Sequence, residues 1–194
     1  MDIKSKHFVR WIALIIVSLG VVVGIVFGFH GTAKTPSATS SHAPVAGFLD
    51  LSIGQNLTFS IGGSGLPALQ SGWSGAEPWG TWSSADQSTI GLKLMVLPTH
   101  DAKLVIKSRA FLFGNHKLLN VKVDINGVAV ASIDYGPGDK GSHSIPIPLK
   151  VISSDGGRLL VHFVYDTPKS PKELGMSNDP RKLALGIVGL QFNN

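Results

Sequence analysis

The sequence predicts an all-β sandwich of jelly-roll type, preceded by one N-terminal transmembrane helix. Three observations predict this class. Apolar residues alternate with polar ones in many short runs, as in Val121, Val123 and Ile125 around Lys122 and Asp124, which is the period of a half-buried strand. Asn126-Gly127 stands between two such runs, and both residues tolerate the positive φ of a tight hairpin turn. An uncharged run of 19 residues, Trp11–Phe29, lies near the N-terminus, close to the roughly 20 that a helix needs to cross the alkyl core of a bilayer.

Residues 1–10 form a short tip in which Lys4, Lys6 and Arg10 outweigh Asp2. Positive charge before residues 11–29 keeps the tip cytoplasmic and sends the rest of the chain outward. The run exceeds the apolar region of a secretory signal, about 7–15 residues, so an uncleaved anchor is expected, with Gly31-Thr32-Ala33 as a weaker cleavage site. Gly20, Gly24 and Gly28 recur every four residues. On a helix they share one face and permit close approach of a second copy or another membrane protein. Residues 30–45 are rich in Ser, Thr, Ala, Pro and His and read as a flexible linker. The folded domain is expected over 46–194, in the periplasm or outside the cell, with the anchor in the inner, cytoplasmic membrane of a bacterium.

Within the domain, Leu92, Leu94 and Val96 mark one strand face, and Leu104 and Ile106 another. Val128 and Val130 resume the apolar face after Asn126-Gly127. Ile145 and Ile147 alternate with prolines, which places that strand at an edge. Leu159, Val161, Phe163 and Tyr165 form a further face, and Leu183–Phe192 reads as apolar on both sides, suiting a central, doubly covered strand. No amphipathic helix of ten or more residues is evident, and about eight to ten strands fit a sandwich or jelly roll.

Composition removes several function classes. The net charge is +5, of which +2 belongs to the tip, and subtraction leaves +3 beyond it. That is a mild balance with no phosphate-tracking run, so nucleic acid is not an expected partner. No cysteine is present, which excludes thiol catalysis, zinc–thiolate sites and a lipid-modified cysteine. The seven histidines are scattered without metal-ligand spacing, and no Gly-x-Ser-x-Gly elbow occurs. Only Glu77 and Glu173 are glutamates, so a glycosidase pair would have to recruit aspartates. The expectation is a protein that is not an enzyme, with no cofactor and no dedicated metal site. A structural calcium held by carboxylates and carbonyls is conceivable, but no ladder of alternating aspartates supports one.

The segment Gly72–Ser83 carries the candidate binding residues. Three of the four tryptophans, Trp73, Trp79 and Trp82, fall within these twelve residues, together with Glu77. Aromatic rings among Gly, Pro and Ser either plug a core edge or stand out as stacking platforms. As platforms they would take the apolar face of a sugar ring, with Glu77 or Asp86 accepting bonds from hydroxyls. As structure, Trp82 would plug the sandwich end and Glu77 would be tied to backbone amides or an arginine. The 16-residue connection Asp166–Arg181 is long enough to be functional or pinned by specific contacts. Asp179 and Arg181 flank Pro180 there, and an Arg181–Glu77 ion pair is expected to hold this loop against the tryptophan segment.

Two motif groups carry a resemblance. One comprises Gly72-Trp73-Ser74, Glu77, Trp79-Gly80 and Trp82-Ser83. The other comprises Ser170-Pro171, Leu174-Gly175, Asp179-Pro180-Arg181, Leu183 and Leu185-Gly186. Together they resemble the galactose-binding-like β-sandwich domain at the extracytoplasmic end of bacterial membrane glycosyltransferase-like and phosphoglycerol-transferase-like proteins, over roughly Phe48–Phe192. Those relatives carry the domain on a large multi-span enzyme, whereas a single anchor is read here. The resemblance therefore implies a glycan-binding or accessory module in envelope polysaccharide or glycolipid assembly. A scaffold that recruits a membrane glycosyltransferase or polymer-export partner is the alternative.

Overall fold

The computed structural model describes residues 47–194; the expected tip, anchor and linker, with Gly20, Gly24 and Gly28, lie outside the described residues. Among the described residues ten strands run in chain order: β1 Leu49–Leu51, β2 Asn56–Thr58, β3 Thr81–Trp82, β4 Gln87–Leu94, β5 Ala102–Ala110, β6 Leu119–Ile125, β7 Val128–Tyr135, β8 Ser142–Ile147, β9 Arg158–Tyr165 and β10 Leu185–Asn193. One sheet has the order β1-β4-β9-β6-β7; the other has β2-β10-β5-β8, with β3 pairing on β10. Only β1 and β4 pair in parallel, the remaining ladders being antiparallel. The one α-helix among the described residues is the five-residue α1, Leu149–Ser153.

Alternation places the core between the sheets. Leu92 and Leu94 of β4, Leu159, Val161 and Phe163 of β9, and Val121, Val123 and Ile125 of β6 are buried from the first sheet. Leu104 and Ile106 of β5 and Leu185, Ile187, Leu190 and Phe192 of β10 are buried from the second. The two buried tyrosines, Tyr135 and Tyr165, are hydroxyl-bonded to Ser108 and Ser88 respectively. Burial raises both phenols above their ordinary pKa, so they stay neutral and the core encloses no charge.

Asn126 is the only non-glycine with positive φ among the described residues, at 52°, followed by Gly127 at 77°, as a two-residue hairpin of this type requires. The Asn126 Oδ1 accepts the Leu160 amide at 2.8 Å, so the turn also grips the neighbouring strand. Pro146 lies in the edge strand β8, where a missing N–H costs no ladder bond.

Three strand expectations change. β4 ends at Leu94, and Val96 is largely exposed. A register shift between Val123 and Asp124 displaces the β6–β7 phase. Val128 is therefore exposed, and Ile133 and Tyr135 form the buried positions of β7. β10 is central, as its composition suggests, but it is not covered on both sides among the described residues. A bulge between Ile187 and Gly189 switches its phase. The inward set thus runs Leu185, Ile187, Leu190, Phe192, while Gly186, Val188, Gly189 and Gln191 take the other face.

Candidate functional site

The site begins with a tight turn. The Glu77 amide donates to the Gly80 carbonyl at 2.8 Å and the Gly80 amide returns to Glu77 at 3.2 Å. Pro78 and Trp79 are the central residues, with proline and glycine at the positions such turns favour. The turn leads directly into β3. Thr81 and Ser83 are fully buried: the Thr81 hydroxyl donates to the Phe59 carbonyl at 2.7 Å, and the Ser83 Oγ accepts the Leu185 amide at 3.0 Å. With both neighbours turned inward, Trp82 points to the outer face of the second sheet.

Register then sets its neighbours. Trp82 is opposite Gly186 of β10, and Gly186 is opposite Arg109 of β5. A Cβ on Gly186 would come within 2.6 Å of the Trp79 ring and 2.8 Å of Trp82. The glycine is thus the floor on which the rings rest. Trp79 and Trp82 meet edge-on, with centroids 4.8 Å apart and planes at 63°. Phe111 packs on the Trp82 edge at 5.8 Å. The Arg109 guanidinium carbon lies 3.2 Å from the Trp79 ring centroid and 5.2 Å from that of Trp82, a cation–π arrangement. Glu77 Oε2 accepts the Trp79 indole N–H at 2.7 Å. Partial burial lowers the Arg109 pKa from its ordinary value, and the Glu77 charge opposes that.

Of the expected residues, Glu77, Trp79 and Trp82 come together here. Trp73 does not: its indole N–H donates to the Thr89 carbonyl at 2.8 Å and its ring packs edge-on against Phe163 at 6.2 Å, on the core side. Trp73 is the plug that the alternative reading assigned to Trp82. Asp86 is exposed and pairs with Lys182 at 3.7 Å. The expected Arg181–Glu77 ion pair is absent among the described contacts. Arg181 instead pairs with Asp179 at 2.7 Å, two residues away, because a carboxylate so near in sequence needs little ordering to reach. Arg181 still feels the Glu77 charge, which is among the causes raising its pKa after the Asp179 bond.

The loop before β10 is pinned by its own contacts. The Ser170 amide donates to Glu173 Oε2 at 2.8 Å and the Glu173 amide to Ser170 Oγ at 3.0 Å. The Lys172 amide donates to the Asp179 carbonyl at 3.0 Å. Its tie to the segment after the tryptophans is Lys182–Asp86. Asp179 and Arg181 therefore brace the loop. Among the described residues no three His, Asp or Glu side chains come close enough to hold a metal ion.

Sequence reasoning missed Arg109. The signal available was the outward phase of β5, where Lys103, Lys107 and Arg109 share one parity. Nothing local to β5, however, announces that Arg109 ends beside Trp79.

A family model described as Domain of unknown function (DUF7024) matches residues 54–194. No curated protein matches. Similar solved structures include a carbohydrate-binding module, CsCBM6-3 from Clostridium stercorarium in complex with cellobiose, at 10% identity and TM-score 0.37, covering 75% of this chain and 97% of that one. Another is Carbohydrate-Binding Module CBM36 in complex with calcium and xylotriose, at 14% identity and TM-score 0.33, covering 58% of this chain and 76% of that one. A third is the insecticidal delta-endotoxin Cry8Ea1 from Bacillus thuringiensis, at 8% identity and TM-score 0.36, covering 56% and 18%. The sandwich architecture stands on its own strand pairing, independent of these alignments.

Proposed function

This chain belongs to the DUF7024 family of domains of unknown function, and on that footing we propose that it is a glycan-binding module whose site is the Trp79–Trp82 corner. The observation that carries the reading is the placement of two tryptophans on the outer face of a sheet, over a glycine floor, with Arg109 and Glu77 beside them. Apolar ring faces take the C–H face of a pyranose. A guanidinium supplies donors and a carboxylate supplies acceptors for hydroxyls. The role is non-catalytic. Residues 11–29 hold the module on the membrane, in envelope polysaccharide or glycolipid assembly.

A second reading has one observation in its favour. Arg109 lies on Trp79, which suits a cluster that caps the sheet and leaves recruitment of a membrane glycosyltransferase to other surfaces, including self-association through Gly20, Gly24 and Gly28. A glycan-array screen of the chain beside a Trp79→Ala variant separates the two. Selective binding lost in a variant that keeps its circular dichroism spectrum supports the binding module. Absence of binding by well-folded protein favours the scaffold and directs crosslinking toward a membrane partner.

A further inference from the structure

The outer face of the second sheet continues past the tryptophan corner. One row inward, Thr58 of β2 is opposite Gly189 of β10, and Gly189 is opposite Lys107 of β5. The next row holds Asn56 and Gln191. These residues line a groove of ≈ 350 Å³ whose floor is Gly189, where a side chain would otherwise stand. The groove depends on the β10 bulge. Without the phase switch at Ile187–Gly189, the two glycines would not both face outward.

The charges that β5 contributes to this face have one sign. Lys103, Lys107 and Arg109 lie on the same face of β5, so Lys107 and Arg109 are about 7 Å apart along the strand and Lys103 about 13 Å from Lys107. None of the three has a carboxylate within salt-bridge distance among the described residues. Glu77, beside Trp79, is the acidic group that Arg109 feels. Asn56, Thr58 and Gln191 supply neutral donors and acceptors to the groove, whose lining also includes the apolar Leu57, Val105, Val188 and Leu190.

We propose that this groove extends the aromatic corner into a site for an acidic glycan strand. The carboxylate or phosphate groups of that strand meet Lys107 and Lys103, while its hydroxyls meet the neutral side chains. The proposal rests on the glycan-binding reading of the corner. Charge complementarity selects an acidic over a neutral polymer. Only three cations along a groove that mixes apolar and neutral polar walls select a glycan over nucleic acid, whose recognition needs a denser basic track.

The test is calorimetric titration of the purified full chain, in detergent where its apolar N-terminus requires it. The probes are oligogalacturonate, the same oligomers methyl-esterified, and a single-stranded oligodeoxynucleotide of matched charge. The acid should bind about tenfold tighter than the ester, the scale of two exposed charge pairs. That preference should fade as salt rises from about 0.05 to 0.5 M. The double variant Lys103→Gln/Lys107→Gln should bind acid and ester within about twofold of each other, with unchanged melting temperature. Equal binding of acid and ester by the native chain overturns the proposal, as does a preference that survives the double variant. So does tighter binding of the oligonucleotide. A neutral ligand on the glycan array without acid preference removes only this inference. Binding of neither oligomer, with a silent array, removes the glycan reading as well.

Discussion

The outer faces of the two sheets use their polar groups differently. On the first, several polar groups are answered locally: Arg158 bonds Asp155, His162 lies 3.4 Å from Asp124, and Asn120 donates to Asp134 at 2.6 Å, while Lys122 has no carboxylate partner among the described residues. On the second, Lys103, Lys107 and Arg109 carry no carboxylate partner among the described residues. That sheet's central strand shows glycines outward, with an aromatic corner at one end. Pairs within one exposed face add little stability but leave the paired groups satisfied. The second face keeps donors, ring surface and space, which are what a ligand needs. The difference indicates where to look for binding on a sandwich without a deep pocket.

The largest effect expected on stability comes from Trp73, and it tests whether the tryptophans divide between core and face. Trp73→Ala should cost about 3–5 kcal/mol in urea unfolding, because it empties the wedge against Phe163. Trp79→Ala should cost about 1–2 kcal/mol, the scale of one aromatic pair plus one cation–π contact. Equal costs would make Trp79 a core residue and break the comparison. Gly186→Ala comes next. The added Cβ meets both rings, so a loss of about 1–3 kcal/mol is expected from overpacking, with a shift in tryptophan emission and loss of glycan binding. Unchanged emission would show that the rings do not rest on this glycine.

Arg109→Gln should remove about 0.5–1 kcal/mol and make Trp79 easier to quench with acrylamide; no change in quenching would place the guanidinium off the ring in solution. The smallest effect is acid lability. The bond from Arg158 holds the Asp155 carboxyl below its ordinary pKa of 3.8. A depressed folded-state pKa contributes stability that is present above the unfolded value and lost as pH falls through the folded one. The contribution of the first face should therefore be flat from pH 7 to 5 and decline below about 4. Arg158→Gln should remove that decline. The cation row of the second sheet, with no carboxylate partner, should add nothing to it. Carboxyl chemical shifts followed by NMR would report Asp155 directly, and an ordinary titration there would contradict the pairing.

Much of the fold is legible in the sequence, since strand faces follow from a period of two. The runs in β5, β6 and β9 are read correctly from alternation alone, and so is the edge position of β8 from its prolines. Two of the three errors share one cause. Bulges in the β6–β7 pairing and in β10 change the phase of alternation, and a phase change depends on the partner strand. Leu183–Phe192 thus reads as apolar on both sides, although its outer face carries Gly186, Gly189 and Gln191.

By itself, the sequence determined the β class, the Asn126-Gly127 turn and the concentration of aromatics in Gly72–Ser83, because these depend on backbone preferences and local spacing. The tertiary structure decided which tryptophan is core and which is surface. It also chose Asp179 over Glu77 for Arg181 and brought Arg109 to Trp79. The physical reason is register: Trp82, Gly186 and Arg109 become neighbours only through hydrogen-bonded pairing of three strands far apart in the chain, and no local pattern encodes that alignment.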